Sequence, residues 1–203
     1  MNNIHKMKTH FLLALLICGY GMAFGQGISY KIAEDSKMTI DGTSTIHSWT
    51  SKVNTINGSL MLDDKVAKKD NFKKGDKVQQ VNISIPVTSI ESPRGAAMDQ
   101  KTYNALKSEE HPNITFELGD NKITSVSGDT FEMEAKGNLK IAGKSQAIVL
   151  QVKGARNSAS KVSFVGSYTL NMKDYDIEPP SAMFGQIVTG EEVTINFDLI
   201  VSK

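Results

Sequence analysis

Beyond residue 25, the chain offers two histidines, one adjacent serine and a pair of loop aspartates as groups whose types could do chemistry. His47 lies in Thr45-Ile46-His47-Ser48-Trp49, and His111 directly precedes Pro112. A serine beside a histidine suggests a hydrolytic nucleophile. Adjacent residues of a strand point to opposite faces, however, so Ser48 is turned away from His47. No Gly-x-Ser-x-Gly elbow, Walker pattern or dinucleotide glycine pattern occurs. Neither histidine has a partner at a metal-ligand spacing. Asp174 and Asp176 would share a face of an extended segment, but a glycosidic carboxylate pair also needs a sugar cleft rich in aromatics, and Tyr175 alone does not make one. Structural histidines and solvated loop acids fit better, so no catalytic residue and no metal site is assigned. A hydrolase or isomerase built on His47 is the weakest of three function classes.

The chain opens on a leader. Lys6 and Lys8 precede the apolar run Phe11 to Cys18, and Ala23-Phe24-Gly25 places small residues at −3 and −1 of a cut after Gly25. This layout predicts a secretory signal peptide over residues 1–25, and hence a periplasmic or secreted protein. The run is shorter than the about 20 residues that a spanning helix takes. A lipoprotein signal competes because Cys18 ends the run, but bulky Ile17 stands where such signals carry a small residue. Cleavage removes two lysines and leaves 21 basic against 22 acidic residues. That balance gives no basic excess for nucleic acid. Cys18 is the only cysteine and leaves with the leader, which excludes disulfides, a thiol nucleophile and Cys-based metal sites.

The elements that would position any site are β-like. Phe131, Met133, Ala135, Gly137, Leu139 and Ile141 alternate with Glu132, Glu134, Lys136, Asn138 and Lys140. A period of two predicts a strand with one dry face and one wet face. Ile148, Leu150 and Val152 repeat the code, as do Val162, Phe164, Gly166, Tyr168 and Leu170, with short loops predicted at Gly143 and Gly154. Further strands are predicted at 28–33, 37–42, 56–62, 78–87 (ending at Pro86), 113–118, 122–127 and 193–201. Residues 63–77 carry six lysines and four aspartates and read as a solvated loop. A helix is predicted over 98–110, with Asp99 in its first turn and Pro112 stopping it. Residues 171–190 read as a long irregular loop, either functional or disordered. Nine or ten strands are too many for a flat sheet, so the predicted fold is all-β, an antiparallel barrel with one short helix. The charge-rich outer face argues against an outer-membrane barrel. The pattern alone leaves a packed core and a ligand cavity equally open.

Four stretches carry a family resemblance: Gly42 to Trp49, Met98 through His111 to Phe116, Gly137 to Lys144, and Met172 to Phe197. With them, residues 26–203 resemble the YceI-like family, lipocalin-like barrels associated with polyisoprenoid lipids. Two places depart from the pattern: Met98-Asp99 with Arg94 upstream, and Lys173-Asp174-Tyr175-Asp176. The resemblance implies a hydrophobic cavity. The expectation is an exported soluble protein, not an enzyme, holding an isoprenoid-type ligand for carriage or storage and needing no cofactor. Its lining is assigned to Phe116, Met133, Leu139, Ile148, Leu150, Phe164, Tyr168, Leu170, Phe197 and Leu199, with Met183 and Phe184 as a lid and the helix as a cover. Transient membrane contact and a homodimer are compatible with it. The alternative is a filled barrel serving as a structural or protein-interaction module, with residues 63–77 as its contact.

Overall fold

The computed structural model describes residues 27–69 and 71–203. The leader and its cleavage site lie outside the described residues. The strands are β1 (Gly27–Ile32), β2 (Lys37–Ser44), β3 (Ser48–Val53), β4 (Asn57–Asp63), β5 (Val78–Pro86) and β6 (Ile90–Glu91). After them come β7 (Asn113–Ser127), β8 (Thr130–Ile141), β9 (Lys144–Ser158), β10 (Lys161–Asn171), β11 (Ser181–Ala182) and β12 (Ile187–Ser202). Two helices, α1 (Asp64–Ala67) and α2 (Ala96–Ala105), lie at opposite ends.

All pairings are antiparallel. The long β12 holds β10 on one edge; on the other it holds β2 (Ile195 opposite Ile40) and then β1 (Val201 opposite Ile32). β1 and β2 are therefore one broken stave, and β3 with β4 and β5 with β6 are broken alike. Eight staves result, consecutive in the chain and closed into a barrel by the β1–β12 pairing. Side chains patch the breaks. The Ser36 hydroxyl donates to the Ile200 carbonyl at 3.2 Å and accepts from the Ile200 N–H at 2.9 Å, replacing ladder bonds at the kink between β1 and β2. Pro86, which has no N–H, ends β5 as its type requires.

The alternation holds along the wall. In β8 the residues from Phe131 to Ile141 at every second position are buried, while Glu132, Lys136 and Lys140 are exposed. A lipid-facing barrel would carry the opposite arrangement. β7 is one strand rather than two, because Asn121 spans its irregularity. The Asn121 side chain accepts from the Val78 N–H at 2.8 Å and donates to the Val78 carbonyl at 2.9 Å. Gly154 is also corrected: it lies inside β9, and the turn falls at 159–160 instead. Phe131 and Phe164 both pair with Gly154 across neighbouring strands, and a Cβ there would land on the Phe131 ring. Phe197 covers Gly166 in the same way, 2.5 Å from where a Cβ would stand. Ring over glycine lets a strongly curved wall stay filled.

The end at which β1 begins is plugged. Residues 63–77 are not simply a solvated loop, since Val66, Ala67 and Phe72 are buried beneath the barrel. Phe72 meets Phe131 at 4.5 Å between ring centroids, and Phe131 meets Phe164 edge-on at 5.9 Å. Arg156 continues the inward register of β9 as a charged residue; its guanidinium stacks 4.5 Å from the Phe72 centroid and donates to the Val66 carbonyl at 3.3 Å. Short polar loops and one small helix would leave this end open; the aromatic cluster with its arginine cap seals it.

The other end is the mouth. α2 starts two residues earlier than the sequence suggests and stops at Ala105. Gly95 (φ 84°) turns the chain into it and Lys107 (φ 53°) leads out, well before Pro112. Asp99 accepts from the Ser92 N–H at 2.6 Å, tying the helix to the preceding loop. The Tyr103 hydroxyl points at the Thr88 and Ile90 carbonyls, 2.9 and 3.1 Å away, which holds α2 on the rim. Residues 171–190 contain a 3-10 turn at Met172–Tyr175 and the small β11–β12 hairpin.

Candidate functional site

The packed interior falls into two clusters, one over the plug and one under the mouth. Ile32, Val81, Leu150 and Phe197 touch both clusters, so they form the barrel's waist. A waist of large aliphatic and aromatic residues should be the driest place in the protein. All four are only partly buried nonetheless. Their free surface faces a void: an inner chamber of about 140 Å³ lined by side chains from around the wall. Among the described residues, Tyr168 is the only one in this lining with a side-chain nitrogen or oxygen. The structure places Phe116, Met133, Leu139, Ile148, Leu150, Phe164, Tyr168, Phe197 and Leu199 around this chamber.

A second chamber of about 200 Å³ lies towards the mouth and contains Leu170 in its lining. Ile40, Ile90, Ile114 and Ile195 belong to both linings, so the chambers run in series along the axis. Met98, Lys101, Thr102 and Ala105 of α2, with Leu106 just past its end, contribute to the lining of this mouth chamber. A cavity of about 150 Å³ accommodates benzene. By that scale the two chambers together hold on the order of a dozen carbons without any movement of the wall.

Met183 and Phe184 lie elsewhere. They line neither chamber and stand 64% and 109% exposed beside the mouth. Met183 (φ 53°) and Phe184 (φ 57°) are both left-handed, followed by Gly185 (φ 85°). That conformation costs about 1–2 kcal/mol per side-chain-bearing residue and holds Phe184 outward. Thr45 ties the neighbouring loop to this one, its N–H donating to the Val188 carbonyl at 3.0 Å. Ile46, Met183, Phe184 and Val188, all exposed, thus form an apolar patch beside the opening.

The residues singled out for chemistry do not assemble. Ser44, rather than Ser48, is beside His47. Its hydroxyl donates to the His47 carbonyl at 2.9 Å and lies 3.2 Å from Nδ1, while the His47 N–H donates back at 3.3 Å. A serine whose proton is committed to a backbone carbonyl is a turn clamp, not a nucleophile. His111 packs its ring against Gly143. Asp176 pairs with Lys144 at 2.9 Å, which holds its carboxyl below the usual range. Among the described residues no cluster of three His, Asp or Glu is placed to hold a metal. No described helix is long and apolar enough to cross a membrane.

Two tyrosines give the mouth end a titratable element. Burial, then the Asp174 charge, raises Tyr168. Burial, then Tyr168 and Asp174, pushes Tyr175 up to about 12. Tyr175 is 2% exposed and its hydroxyl has no hydrogen-bond partner among the described residues. Its folded pKa stands above the ordinary value near 10, so the associated stability is whole below pH ~10 and is lost as pH rises through about 12. Tyr175→Phe is expected to hold or slightly raise the neutral-pH melting temperature, because it removes an unpartnered polar atom. It should also recover about 2 kcal/mol of the alkaline loss, read as a flatter Tm profile from pH 9 to 12.

Fold and cavity together define a closed up-and-down β-barrel of the lipocalin-like class, sealed at one end and opening at the other through an apolar axis. The chain belongs to the YceI-like domain family, which matches residues 30–201. No curated protein matches it. Solved structures similar to it include Burkholderia cenocepacia BcnA, at 17% identity and a TM-score of 0.61, covering 81% of this chain and 95% of that one. A polyisoprenoid binding domain from Saccharophagus degradans, implicated in plant cell wall breakdown, is similar at 12% identity and a TM-score of 0.64, covering 87% and 99%. The Campylobacter jejuni YCEI protein follows at 14% and 0.55, covering 75% and 84%. At these identities the likeness is one of fold.

Proposed function

We propose that this barrel is a lipid-binding protein, not an enzyme, that holds a long apolar ligand of isoprenoid type on its axis, for carriage or storage after export. The observation that supports this most is the partly exposed waist: Ile32, Val81, Leu150 and Phe197 face empty space between two well-packed clusters. A barrel selected only for stability would fill that space, because a cavity forfeits contacts that packing would supply. The family and the polyisoprenoid binding domain among the similar structures agree in direction.

Transfer from water is worth about 0.8 kcal/mol per CH₂. Five further carbons thus add roughly 4 kcal/mol before association costs are met. The chambers limit how far this continues. In a titration of geraniol, farnesol and geranylgeraniol, affinity is expected to rise at least ~10-fold from the first to the second and then level off. No saturable binding of any of the three would overturn the proposal and favour a filled interaction module.

The apolar patch beside the mouth supports transient contact with a bilayer, from which such a ligand would come. An exposed aromatic tip next to an opening suits the membrane interface. Phe184→Asp is expected to slow uptake of farnesol from phosphatidylcholine vesicles several-fold while leaving the affinity for farnesol in solution unchanged. Equal uptake rates would remove the patch from the pathway.

A further inference from the structure

The plug at the sealed end is an insert, not a stave. It joins β4 to β5, which pair directly with one another from Asn57 opposite Ser84 to Leu62 opposite Val78. Moving α1 and Phe72 aside would therefore leave the barrel's ladder whole. Leu60, Val78, Val152 and Phe164 line the inner chamber and share a cluster with Val66, Ala67 and Phe72, so the plug is the floor beneath that chamber. The closed floor is well packed but poorly satisfied. Arg156 is 7% exposed and donates one hydrogen bond from its guanidinium, to the Val66 carbonyl, while Nε and Nη1 have no partner among the described residues. Tyr30, fully buried in the same cluster, leaves its hydroxyl unpartnered too. Protein interiors seldom leave such groups unmet, and an orphaned charged donor is the costlier kind. Water would satisfy all three atoms if the plug moved, whereas burial of Val66 and Phe72 holds it in.

The attachment of the plug is uneven. On the β5 side, the N–H of Gly75 (φ 88°) donates to the Ile123 carbonyl at 2.9 Å and the Ile123 N–H donates to the Asp76 carbonyl at 2.9 Å, which stitches this turn to β7. The α1 side is clasped to the stitched turn by the Lys69 ammonium, 2.8 and 3.0 Å from the two Asp76 carboxylate oxygens, the most buried ion pair among the described residues. We propose that the floor yields: an isoprenoid tail longer than the two chambers displaces α1 and Phe72 and passes through the sealed end, making the barrel a sleeve open at both ends. The proposal concerns this movement and rests on the binding reading above. The levelling of affinity expected past farnesol then marks the length at which a tail meets the floor, where further burial is offset by the work of opening it.

The test follows amide hydrogen exchange of the stretch from Asp64 to Lys69 by mass spectrometry in the whole barrel. Exchange is read without ligand, with farnesol, and with solanesol, a much longer isoprenoid alcohol delivered from phosphatidylcholine vesicles. Farnesol should leave it as it is, and solanesol should speed it by at least ~10-fold, the signature of a local opening. Lys69→Gln removes the clasp and touches neither chamber lining. It should speed exchange in the free protein and tighten solanesol several-fold while farnesol binds as before. Solanesol bound over a plug that still exchanges slowly, or exchange quickened equally by farnesol, would overturn the proposal and leave the binding reading intact. So would a barrel that binds farnesol and refuses solanesol. Failure of both alcohols to bind would remove both readings.

Discussion

Replacing Leu150 with aspartate is expected to empty the barrel while leaving its wall standing. Leu150 sits at the waist on β9, opposite Ala135, and is only partly buried because it looks into the inner chamber. Aspartate there removes an apolar contact worth roughly 2–3 kcal/mol and places a carboxylate where a chain would lie. A bound tail would have to desolvate that charge without a partner, which costs several kcal/mol more. Affinity for farnesol should fall by at least ~100-fold. Lipid recovered by organic extraction and mass spectrometry should be lost from the variant and retained by the wild type. Fold is checked by circular dichroism, and Leu150→Asn controls for the polar atom without the charge. Unchanged lipid content in a folded Leu150→Asp protein would place the ligand elsewhere.

The second large effect concerns stability at the sealed end. Phe131 is 3% exposed and contacts Phe72 and Phe164, with Gly154 beneath its ring. Phe131→Ala is expected to cost about 3–5 kcal/mol in urea denaturation. Gly154→Ala adds one carbon where the ring now lies, and the overpacking should cost about 1–3 kcal/mol. The double variant should be more stable than the sum of the two, by at least ~1 kcal/mol, since the new methyl occupies space the lost ring vacates. Strict additivity would mean that the ring and the glycine do not depend on one another.

Much of the wall was legible because its code is local. In β8, a residue's face follows from its position, and the sequence pattern of Phe131 to Ile141 reappears as alternating burial. The same rule applied to β9 leads from Leu150 and Val152 to Gly154 and on to Arg156. From the sequence alone, a glycine between apolar runs resembles a turn, whereas here Gly154 answers an aromatic ring directly opposite it on the neighbouring strand. Val66 and Phe72 were hidden for a different reason. They sit among lysines and aspartates in a segment without periodicity, and only the open barrel end above makes them core. Arg94, Lys101 and His47, which line the mouth chamber, lie on loops or on a helix with little apolar bias, so no periodic signal marks them as neighbours. The staves explain the strand count: twelve strands give eight staves because three staves are each broken into two strands and β11 lies outside the barrel as a short hairpin arm on β12. Whether the interior was hollow could not be read from alternation, because a packed core and a lined cavity share the same inward residues. The partly exposed waist is a property of three-dimensional packing alone.

The most direct measurement is a crystal structure of the protein grown with farnesol. The result expected is continuous density for the chain along the barrel axis, in contact with Leu150 and Phe197, its hydroxyl end in the chamber beneath α2. An interior with the waist side chains closed onto one another, or farnesol found only on the outer surface, would contradict the claim that this wall encloses room for a lipid.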